Sequence, residues 1–315
     1  MNEHTRNQLK DGFILGLIFI GLLFLTLIIP GIEVISLVII PIPMAMYAYR
    51  YGWKASLVLS IIIFFSISLF AYYFFIISLP LSLVAIFAGI LIGQAIKTGR
   101  HPYEVWGRGT IGFALGYLAL LFILNLLTDQ SLVTEYQLLV KESIDSTALM
   151  FDQLGMEITP DVLTTAEEKM MLLLELIPGI LITASIIYSF ITQWLTYKAL
   201  NKWDQTQLAF PKFSVFRLPR IVLWLFFVVV IANMFNYESV PALGTTMANI
   251  NIILGMLFSI QGLSVIVHYL KKKQFSKTMS TIMIALVIII FPVGMYLTRI
   301  LGIIDAGFNL KRIIR

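Results

Sequence analysis

The sequence predicts an all-α protein that crosses a membrane several times. Of its 315 residues, 59% are hydrophobic and only 12% are charged, whereas about a quarter of the residues in a typical soluble domain are charged. Apolar runs long enough to span a bilayer recur along the chain, and the polar stretches between them are too short for a sizeable soluble domain. The protein is therefore expected to act within or at a bilayer.

Nine apolar runs are candidate transmembrane helices. The second and the seventh contain 16 residues, just below the usual minimum of roughly 17, so each is expected to be little tilted or partly re-entrant. No cleavage site of small residues follows the first run, which is therefore expected to be a retained helix. The runs are 12–29, 34–49, 55–77, 79–96, 110–127, 171–197, 221–236, 244–270 and 278–300.

The distribution of lysine and arginine predicts a cytoplasmic N-terminus. Most of the 22 basic residues then fall in short loops on the cytoplasmic side, as the positive-inside rule requires. The basic C-terminal residues do not fit this rule if the chain has nine helices, because nine helices would place them outside. Eight or ten helices would place them in the cytoplasm. The side of the tail is therefore left open. The residues concerned are Arg299, Lys311, Arg312 and Arg315.

The one long loop, 128–170, is predicted to form an amphipathic helical hairpin on the outer side. It carries nine acidic residues and two lysines, and its apolar residues recur at the three- and four-residue spacing of one helix face. The first helix is expected to end at Gly155, and the second to begin with Thr159 as N-cap and Pro160 at the first position. The hairpin either only connects helices 5 and 6 or acts as a lid over a pocket.

Several kinds of chemistry lack the residues that they need. Without cysteine there is no thiolate nucleophile, and the three histidines lie far apart, so no metal site is expected. A glycine-rich phosphate loop is also absent from the sequence. Glu175 is the only acid clearly inside an apolar run, so paired groups for acid–base catalysis cannot be assembled. We expect no cofactor and no enzymatic activity; a lipid-modifying enzyme that needs Glu175, Arg299 or Asp305 is a third alternative.

Small residues at four-residue spacing mark faces on which helices pack closely. The first helix has Gly12 and Gly16, and the fourth has Gly89 and Gly93. These faces either pack within the molecule or dock a partner membrane protein, and helix 1 is the most plausible docking face.

Prolines are predicted to break two of the helices. Pro41 and Pro43 lie in the middle of the second run, and Pro178 lies in the sixth, next to Gly179. Each interior proline removes a backbone hydrogen bond that lipid cannot replace. The breaks are therefore expected either to be simple packing kinks or to shape a concave, outward-facing site.

Three polar residues near the predicted outer ends of the helices are candidate ligand contacts. They are Glu175, Asn125 and Glu33. Polar side chains are costly within a bilayer and often line a cavity; the alternative is that these lie among the lipid headgroups. Replacing Glu175 with alanine is expected to abolish ligand binding and to leave folding intact.

The segment 198–220 is strongly basic and is predicted to lie on the cytoplasmic side. It carries Lys212, Arg217 and Arg220 among aromatic residues, with a single acid. Because anionic lipid headgroups attract basic side chains, the segment either anchors the chain at the membrane surface or docks a partner protein. It matches no nucleic-acid-binding module, so nucleic acid is not an expected partner.

Several short motifs resemble a known family. The stretches PIPMAMYAYRYG, GFALGYLALLF and FRLPRIVLWLFFVV resemble the YybS-like family of bacterial multi-pass membrane proteins, a domain of unknown function. More distantly, the first six helices are similar in number and length to the S components of energy-coupling-factor vitamin transporters. That resemblance implies a small ligand bound from outside and docking, through an alanine-rich first helix, onto a membrane coupling protein with ATPases. Here Gly12 and Gly16 replace the alanines, and three further helices follow.

The expected organisation is a six-helix core over 1–197 followed by a basic linker and about three helices over 198–315. The leading hypothesis is a bacterial plasma-membrane protein that binds a small hydrophilic or amphiphilic molecule in an outward-facing cavity. Any active uptake would depend on a separate energising partner. The alternative is a membrane scaffold or regulatory protein that works through its basic cytoplasmic loops.

Overall fold

The computed structural model describes residues 2–29, 31–69, 72–127, 132–156, 158–235, 240–290 and 293–314. Regular structure in this part of the chain is helical, with one short 3-10 turn at Phe213–Val215. The α-helices are α1 (Glu3–Ile28), α2 (Glu33–Ile39), α3 (Pro41–Tyr51), α4 (Trp53–Ser68), α5 (Tyr72–Lys97), α6 (Pro102–Leu127), α7 (Leu132–Gln153), α8 (Pro160–Trp203), α9 (Arg220–Ala232), α10 (Pro241–Lys272), α11 (Lys277–Ile289), α12 (Val293–Phe308) and α13 (Leu310–Ile313).

Six candidate membrane spans occur among the described residues, and they confirm an all-α polytopic fold. They are Glu3–Ile28, Glu33–Tyr51, Ser78–Lys97, Pro102–Leu126, Pro160–Trp203 and Ala242–Lys272. Three shorter apolar helices lie where the remaining predicted runs are. They are Trp53–Ser68, Arg220–Ala232 and Thr278–Val287.

The helices form two compact units. Unit 1 comprises residues 1–175 and 184–209, and unit 2 comprises residues 176–183 and 210–315. Helix α8 contributes to both units. The boundary that the sequence suggested after residue 197 falls inside α8. The chain enters unit 2 within α8 at residues 176–183, returns to unit 1 at residue 184, and enters unit 2 again at residue 210.

Close packing of α5 on α3 lies at the centre of unit 1. A Cβ atom at Gly89 would come within 2.7 Å of both the Pro41 carbonyl oxygen and the Met44 Cβ. A Cβ atom at Gly93 would overlap the carbonyl oxygen of Ala45. Since any larger residue would push the two helices apart, the Gly89 and Gly93 face is used inside the molecule.

The small-residue face of α1 also points into unit 1. Gly12 and Gly16 are both buried. A Cβ atom at Gly12 would lie 3.4 Å from the Tyr47 ring, and one at Gly16 would lie 3.5 Å from Leu59. The face therefore packs on α3 and α4, whereas the neighbouring side chain of Phe13 is 70% exposed.

The predicted break at Pro41 and Pro43 is the junction between α2 and α3. The backbone at Ile40 keeps helical dihedral angles (φ −57°, ψ −35°), so the chain kinks without unwinding. Because neither proline can donate a hydrogen bond, carbonyl groups in the preceding turn lose their partners. In this turn the hydroxyl of Thr192 on α8 donates to the carbonyl oxygen of Val38 at 2.9 Å. The carbonyl groups that lose a donor to Pro41 and Pro43 are those of Leu37 and Ile39, so the Thr192 bond fastens α8 to the kink and replaces neither lost bond.

Helix α8 runs for 44 residues and continues through Pro178, which corrects the prediction of a break there. The next backbone N–H, that of Gly179, donates to the side-chain oxygen of Asn249 on α10 at 2.6 Å. A membrane helix tolerates a proline when neighbouring groups satisfy the disturbed backbone in this way.

One face of α8 in unit 1 is polar and fully buried. Ser189 donates to the carbonyl oxygen of Trp106 at 2.9 Å, and Gln193 donates to that of Pro102 at 2.9 Å. In the other direction, the Trp106 indole N–H donates to the Ile186 carbonyl oxygen at 2.8 Å. These bonds join α8 to α6 in the manner of polar contacts between membrane helices. The polar side chains on this face with 0% exposure are Ser185, Ser189, Thr192, Gln193 and Thr196.

The predicted helical hairpin in the long loop is present as α7 and the first part of α8. The hydroxyl of Tyr136 donates to the carbonyl oxygen of Met170 at 2.8 Å and joins the two helices. After α7 the chain turns at Gly155, which has φ +65°, a backbone conformation that favours glycine. Helix α8 then begins at Pro160, the residue predicted for its first position.

Unit 2 is organised by the close crossing of α10 and α12. A Cβ atom at Gly262 would overlap the backbone of Thr298, and one at Gly302 would overlap the backbone of Phe258. Beside the crossing, Phe226 of α9 packs on Phe258 with ring centroids 5.3 Å apart. Both rings belong to a buried apolar cluster that forms the core of unit 2.

The last predicted run, 278–300, folds as parts of two helices and not as one. Helix α11 ends at Ile289 and α12 begins at Val293. The chain that follows α12 reaches the end of α10, where the ammonium group of Lys272 donates to the carbonyl oxygen of Ile314 at 3.2 Å. The basic tail therefore lies beside the basic end of α10, and the side of the membrane on which both lie stays a prediction.

We expect Gly93→Ala to lower the free energy of unfolding by about 1–3 kcal/mol, because the added methyl group overpacks the α3–α5 contact. Thermal unfolding of the purified protein in a mild detergent measures the effect. Gly107→Ala in α6 is the matched control, since a Cβ atom there meets nothing within 4 Å and alanine favours a helix by about 0.5–1 kcal/mol over glycine. Equal melting temperatures for the two variants would contradict this packing.

Candidate functional site

The three predicted ligand contacts are all exposed. Glu33 is the first residue of α2, Asn125 lies near the end of α6, and Glu175 lies on α8. A shallow cavity of about 430 Å³ is lined by Glu175 and its α8 neighbours, and neither Asn125 nor Glu33 lines it. The structure therefore does not bring the three together in that cavity, and their role in binding stays a prediction.

A larger groove lies in unit 1 between α1, the α2–α3 kink and the last turns of α8. Its volume is about 710 Å³, and Asp11 and Arg50 at one end are the only charged side chains among its lining residues. Pro43 of the kink forms part of its wall. The lining residues are Asp11, Ile14, Leu15, Ile18, Leu22, Ile39, Ile42, Pro43, Met46, Arg50, Leu195, Ala199 and Trp203.

Two features of the sequence set the shape of this groove. The prolines at the α2–α3 junction place Ile39, Ile42 and Pro43 on one wall. On the opposite wall, the contact of Gly12 with the Tyr47 ring holds α1 close to α3. The groove is therefore a consequence of helix packing and not of a flexible loop.

At the charged end of the groove, Arg50 is held between two carboxylates. Its Nη1 lies 2.8 Å from Asp11 Oδ2, and its Nη2 lies 2.9 Å from Asp204 Oδ1. Its Nε also donates to Asp204 Oδ1 at 3.1 Å, and the Tyr51 hydroxyl donates to Asp11 Oδ2 at 2.8 Å. The three charged side chains are between 22% and 25% exposed, so solvent and salt screen them less than a surface pair. Together they join α1 and α3 to the end of α8.

The backbone next to Arg50 is fixed by α5. The ammonium group of Lys97 donates to the Arg50 carbonyl oxygen at 3.0 Å, and the Gln94 side chain accepts the Trp53 N–H at 2.9 Å. Between them Gly52 turns the chain from α3 into α4 with φ +85°. The guanidinium group therefore projects from a rigid support.

Sequence reasoning predicted only part of this arrangement. In the sequence, Arg50 lies at the end of the second apolar run, a position typical of an anchor at the membrane interface, and no neighbouring pattern pairs it with an acid. Two signals were available: Asp11 at the start of the first apolar run, and Asp204, the single acid in the segment 198–220. An acid among so many basic residues near a membrane is a sign of a fixed ion pair.

The predicted docking residues Lys212, Arg217 and Arg220 are exposed. The segment that carries them is held against α10, where the Ser264 hydroxyl donates to the Phe213 carbonyl oxygen at 2.7 Å. Their side chains are free to contact lipid headgroups or a partner, while the backbone beneath them is fixed.

A buried charged pair strengthens the same attachment in unit 2. Asp305 has 0% exposure; it accepts a hydrogen bond from Gln261 at 2.8 Å and lies 3.4 Å from the ammonium group of Lys311. That ammonium group also donates to the carbonyl oxygen of Phe216. Burial lowers the pKa of Lys311, and the charge of Asp305 opposes this shift. The pair ties the basic segment to α10 and α12.

The groove is suited to binding. Its apolar wall can enclose a chain or ring, and its charged end can hold a polar group. In the part of the chain that the structure describes, no group of three or more acidic or histidine side chains is arranged to hold a metal ion.

We expect Arg50→Met to destabilise the protein by about 2–4 kcal/mol, because Asp11 and Asp204 would then face each other without a counter-charge. Breaking a fully buried pair costs about 3–5 kcal/mol, and the partial exposure of these groups reduces that value. Thermal unfolding in detergent measures the loss.

Arg108→Met is the control, since Arg108 and its partner Glu104 are 38% and 41% exposed and such pairs contribute about 0–1 kcal/mol. If the two arginine variants unfold at the same temperature, the ion pairs of Arg50 do not stabilise unit 1.

Comparisons with known proteins agree with the resemblance seen in the sequence. The chain is 26% identical over 317 residues to a protein of Bacillus subtilis (strain 168) described as "Uncharacterized protein YybS", and the alignment covers 98% of each chain. No solved structure matches the chain. The family described as "Predicted membrane protein (DUF2232)" matches residues 17–306. The chain therefore belongs to this family of predicted membrane proteins.

Proposed function

We propose that this protein binds a small amphiphilic molecule in the groove of unit 1. The observation that carries the proposal is the division of the groove into a long apolar wall and one charged end at Asp11 and Arg50. Its volume of about 710 Å³ falls in the range of about 300–1,000 Å³ that is usual for small-molecule sites. The apolar part of a ligand would lie along α1 and α3, and its polar group would meet the charged end.

The groove is open to a ligand that arrives through the bilayer. Ile14 and Ile18 of its α1 wall are 44% and 46% exposed, so the groove is continuous with the apolar surface of the helix. From Asp11 to Leu22 the α1 wall extends about 16 Å at 1.5 Å per residue. That length suits a lipid-like chain that lies along the helix with its headgroup at the charged end.

This proposal places the ligand away from Glu175, Asn125 and Glu33, none of which lines the groove. Binding at the groove predicts that Glu175→Ala leaves ligand affinity unchanged. Binding in an outward-facing cavity predicts that the same change abolishes it. The affinity of this variant for a bound amphiphile therefore separates the two proposals.

ATP-driven uptake would require a second protein to supply energy, because the sequence contains no glycine-rich phosphate loop. The resemblance to S components implies a membrane coupling protein with ATPases as that partner. A pull-down of the tagged protein from its native membranes in gentle detergent, read by mass spectrometry for proteins and small molecules together, tests for it. Recovery of a stoichiometric amphiphile without ATPases would favour binding alone.

The exposed basic residues favour a second candidate function, a membrane scaffold. Lys212, Arg217 and Arg220 project from a segment whose backbone is held by α10 and by Lys311, and a rigid surface loses little entropy when a partner binds. Charge reversal at the three positions should abolish capture of a partner if the protein is a scaffold. The same change should leave an amphiphile in the groove of unit 1.

Filling the groove tests the leading proposal directly. We expect Ile42→Trp to reduce the amount of amphiphile that co-purifies with the protein by about tenfold, because the indole occupies the apolar wall and a tenfold loss corresponds to about 1.4 kcal/mol. Native mass spectrometry of the protein released from nanodiscs measures the bound fraction.

Ile61→Trp is the matched control, because Ile61 lies in a second apolar groove of unit 1, on α4. The control should retain wild-type occupancy of the first groove. If both variants or neither lose the ligand, the groove between α1, α3 and α8 is not the binding site.

A further inference from the structure

The Asp11 carboxylate lines the charged end of the groove, and its negative charge restricts the headgroup that a ligand can place there. We propose that the groove takes an amphiphile whose headgroup is a cation, such as a primary ammonium group, and that the Asp11 carboxylate receives it. This inference rests on the proposed function, and it goes further by naming the headgroup and the atom that contacts it.

Asp11 shares its one arginine with a second carboxylate, that of Asp204. The nearby ammonium group of Lys97 contacts the Arg50 carbonyl oxygen and does not line the groove. The Asp11 side chain is about three-quarters buried, where its charge interacts more strongly with a ligand than it would at the surface. A positively charged group is therefore the ligand group that Asp11 attracts.

Arg50 itself is not available to an anionic headgroup. Its Nε and Nη2 are directed at Asp204, and its Nη1 is directed at Asp11. An anion would have to displace one of these carboxylates and leave it without a partner, which is costly at this degree of burial.

Asp11 has the remaining hydrogen-bonding capacity. Both of its hydrogen bonds, from Arg50 and from the Tyr51 hydroxyl, are made by Oδ2, and Oδ1 has no partner among the described residues. By contrast, both oxygens of Asp204 accept from Arg50. Asp11 also lines the groove, whereas Asp204 does not. The carboxylate with a free acceptor is therefore the one that lines the groove.

An aromatic ring lies at the same end of the groove. Trp203 is a lining residue, and indole is the aromatic side chain that attracts cations best. The ammonium group of Lys202 lies 5.9 Å from the centroid of this ring, but Lys202 does not line the groove. A ligand cation held by Asp11 would have an aromatic neighbour, as ammonium-binding sites commonly do.

Three probes of equal chain length and different headgroup test the inference. Dodecylamine is a cation at neutral pH, dodecanol is uncharged and dodecanoic acid is an anion. The full-length protein is placed in nanodiscs of phosphatidylcholine, each probe is titrated in, and binding is read by native mass spectrometry. We expect dodecylamine to bind about tenfold more tightly than dodecanoic acid, which is the effect of one good charge-assisted contact.

Two matched variants locate the contact. Asp11→Asn should reduce the preference for dodecylamine to within about twofold, because the amide keeps the side-chain shape and loses the charge. Asp204→Asn removes the same charge from the same arginine but off the groove, and it should keep most of the preference. An equal loss in both variants would mean that Asp11 is not the contact, and a preference for dodecanoic acid would overturn the inference.

The outcomes also separate this inference from the function on which it rests. If all three probes bind equally and Ile42→Trp blocks them all, the groove binds amphiphiles and the cationic headgroup is wrong. If no probe binds, or if Ile42→Trp leaves binding unchanged, the proposed function itself fails.

Discussion

The attachment of Arg50 to Asp11 and Asp204 is the interaction on which the arrangement of unit 1 depends. It joins α1 and α3 to the end of α8, where Asp204 lies 154 residues after Arg50. The other contacts of α1 with α3 and α4 include apolar ones at Gly12, which meets the Tyr47 ring, and at Gly16, which meets Leu59. Apolar contacts alone hold helices weakly in a bilayer, because lipid is as apolar as the side chains.

The weakness of apolar contacts between helices in a bilayer also accounts for the other polar contacts of the fold. Side chains of other helices bond to the backbone near the prolines: Thr192 donates to the Val38 carbonyl oxygen at the α2–α3 kink, and Asn249 accepts the Gly179 N–H beside Pro178. Buried serine and threonine side chains on α8 serve the same purpose in unit 1. The kink that Thr192 contacts also forms part of the groove, since Ile39, Ile42 and Pro43 line it.

Much of the fold could be predicted from the sequence, and the reasons for the failures are physical. Hydropathy and helix length predicted the all-α polytopic fold. For the glycine pairs of α1 and α5 the sequence left two uses open, packing within the molecule or docking of a partner, and in the structure both pairs pack within unit 1. The continuity of α8 could not be predicted, because it depends on Asn249, which lies 70 residues from Gly179. The run 278–300 has no charged residue from 278 to 298, across the end of α11 and the start of α12, so its hydropathy did not show that it holds parts of two helices. Gly294 was the usable signal, since a Cβ atom there would overlap the backbone of Val287 on α11.

The candidate site was harder to predict than the fold, because its parts meet only in three dimensions. Arg50 lies 39 residues from Asp11 and 154 residues from Asp204, and no local pattern joins them. The ligand contacts predicted from the sequence were Glu175, Asn125 and Glu33, because each is a polar residue near the end of an apolar run. All three are exposed in the structure. The groove instead combines ordinary apolar residues with an ion pair that resembles an interface anchor when it is viewed in sequence alone.

The most direct test of the account is to map where an amphiphile binds on the wild-type protein. A photoactivatable long-chain amine is added to the protein in nanodiscs, crosslinked by light and located by peptide mass spectrometry. The account predicts that labelling concentrates on the groove walls formed by residues 11–22 of α1 and 39–46 of the α2–α3 kink, and that an excess of unlabelled amine suppresses it. Labelling spread evenly over exposed apolar helices such as α4 and α9, or concentrated around Glu175, would contradict it.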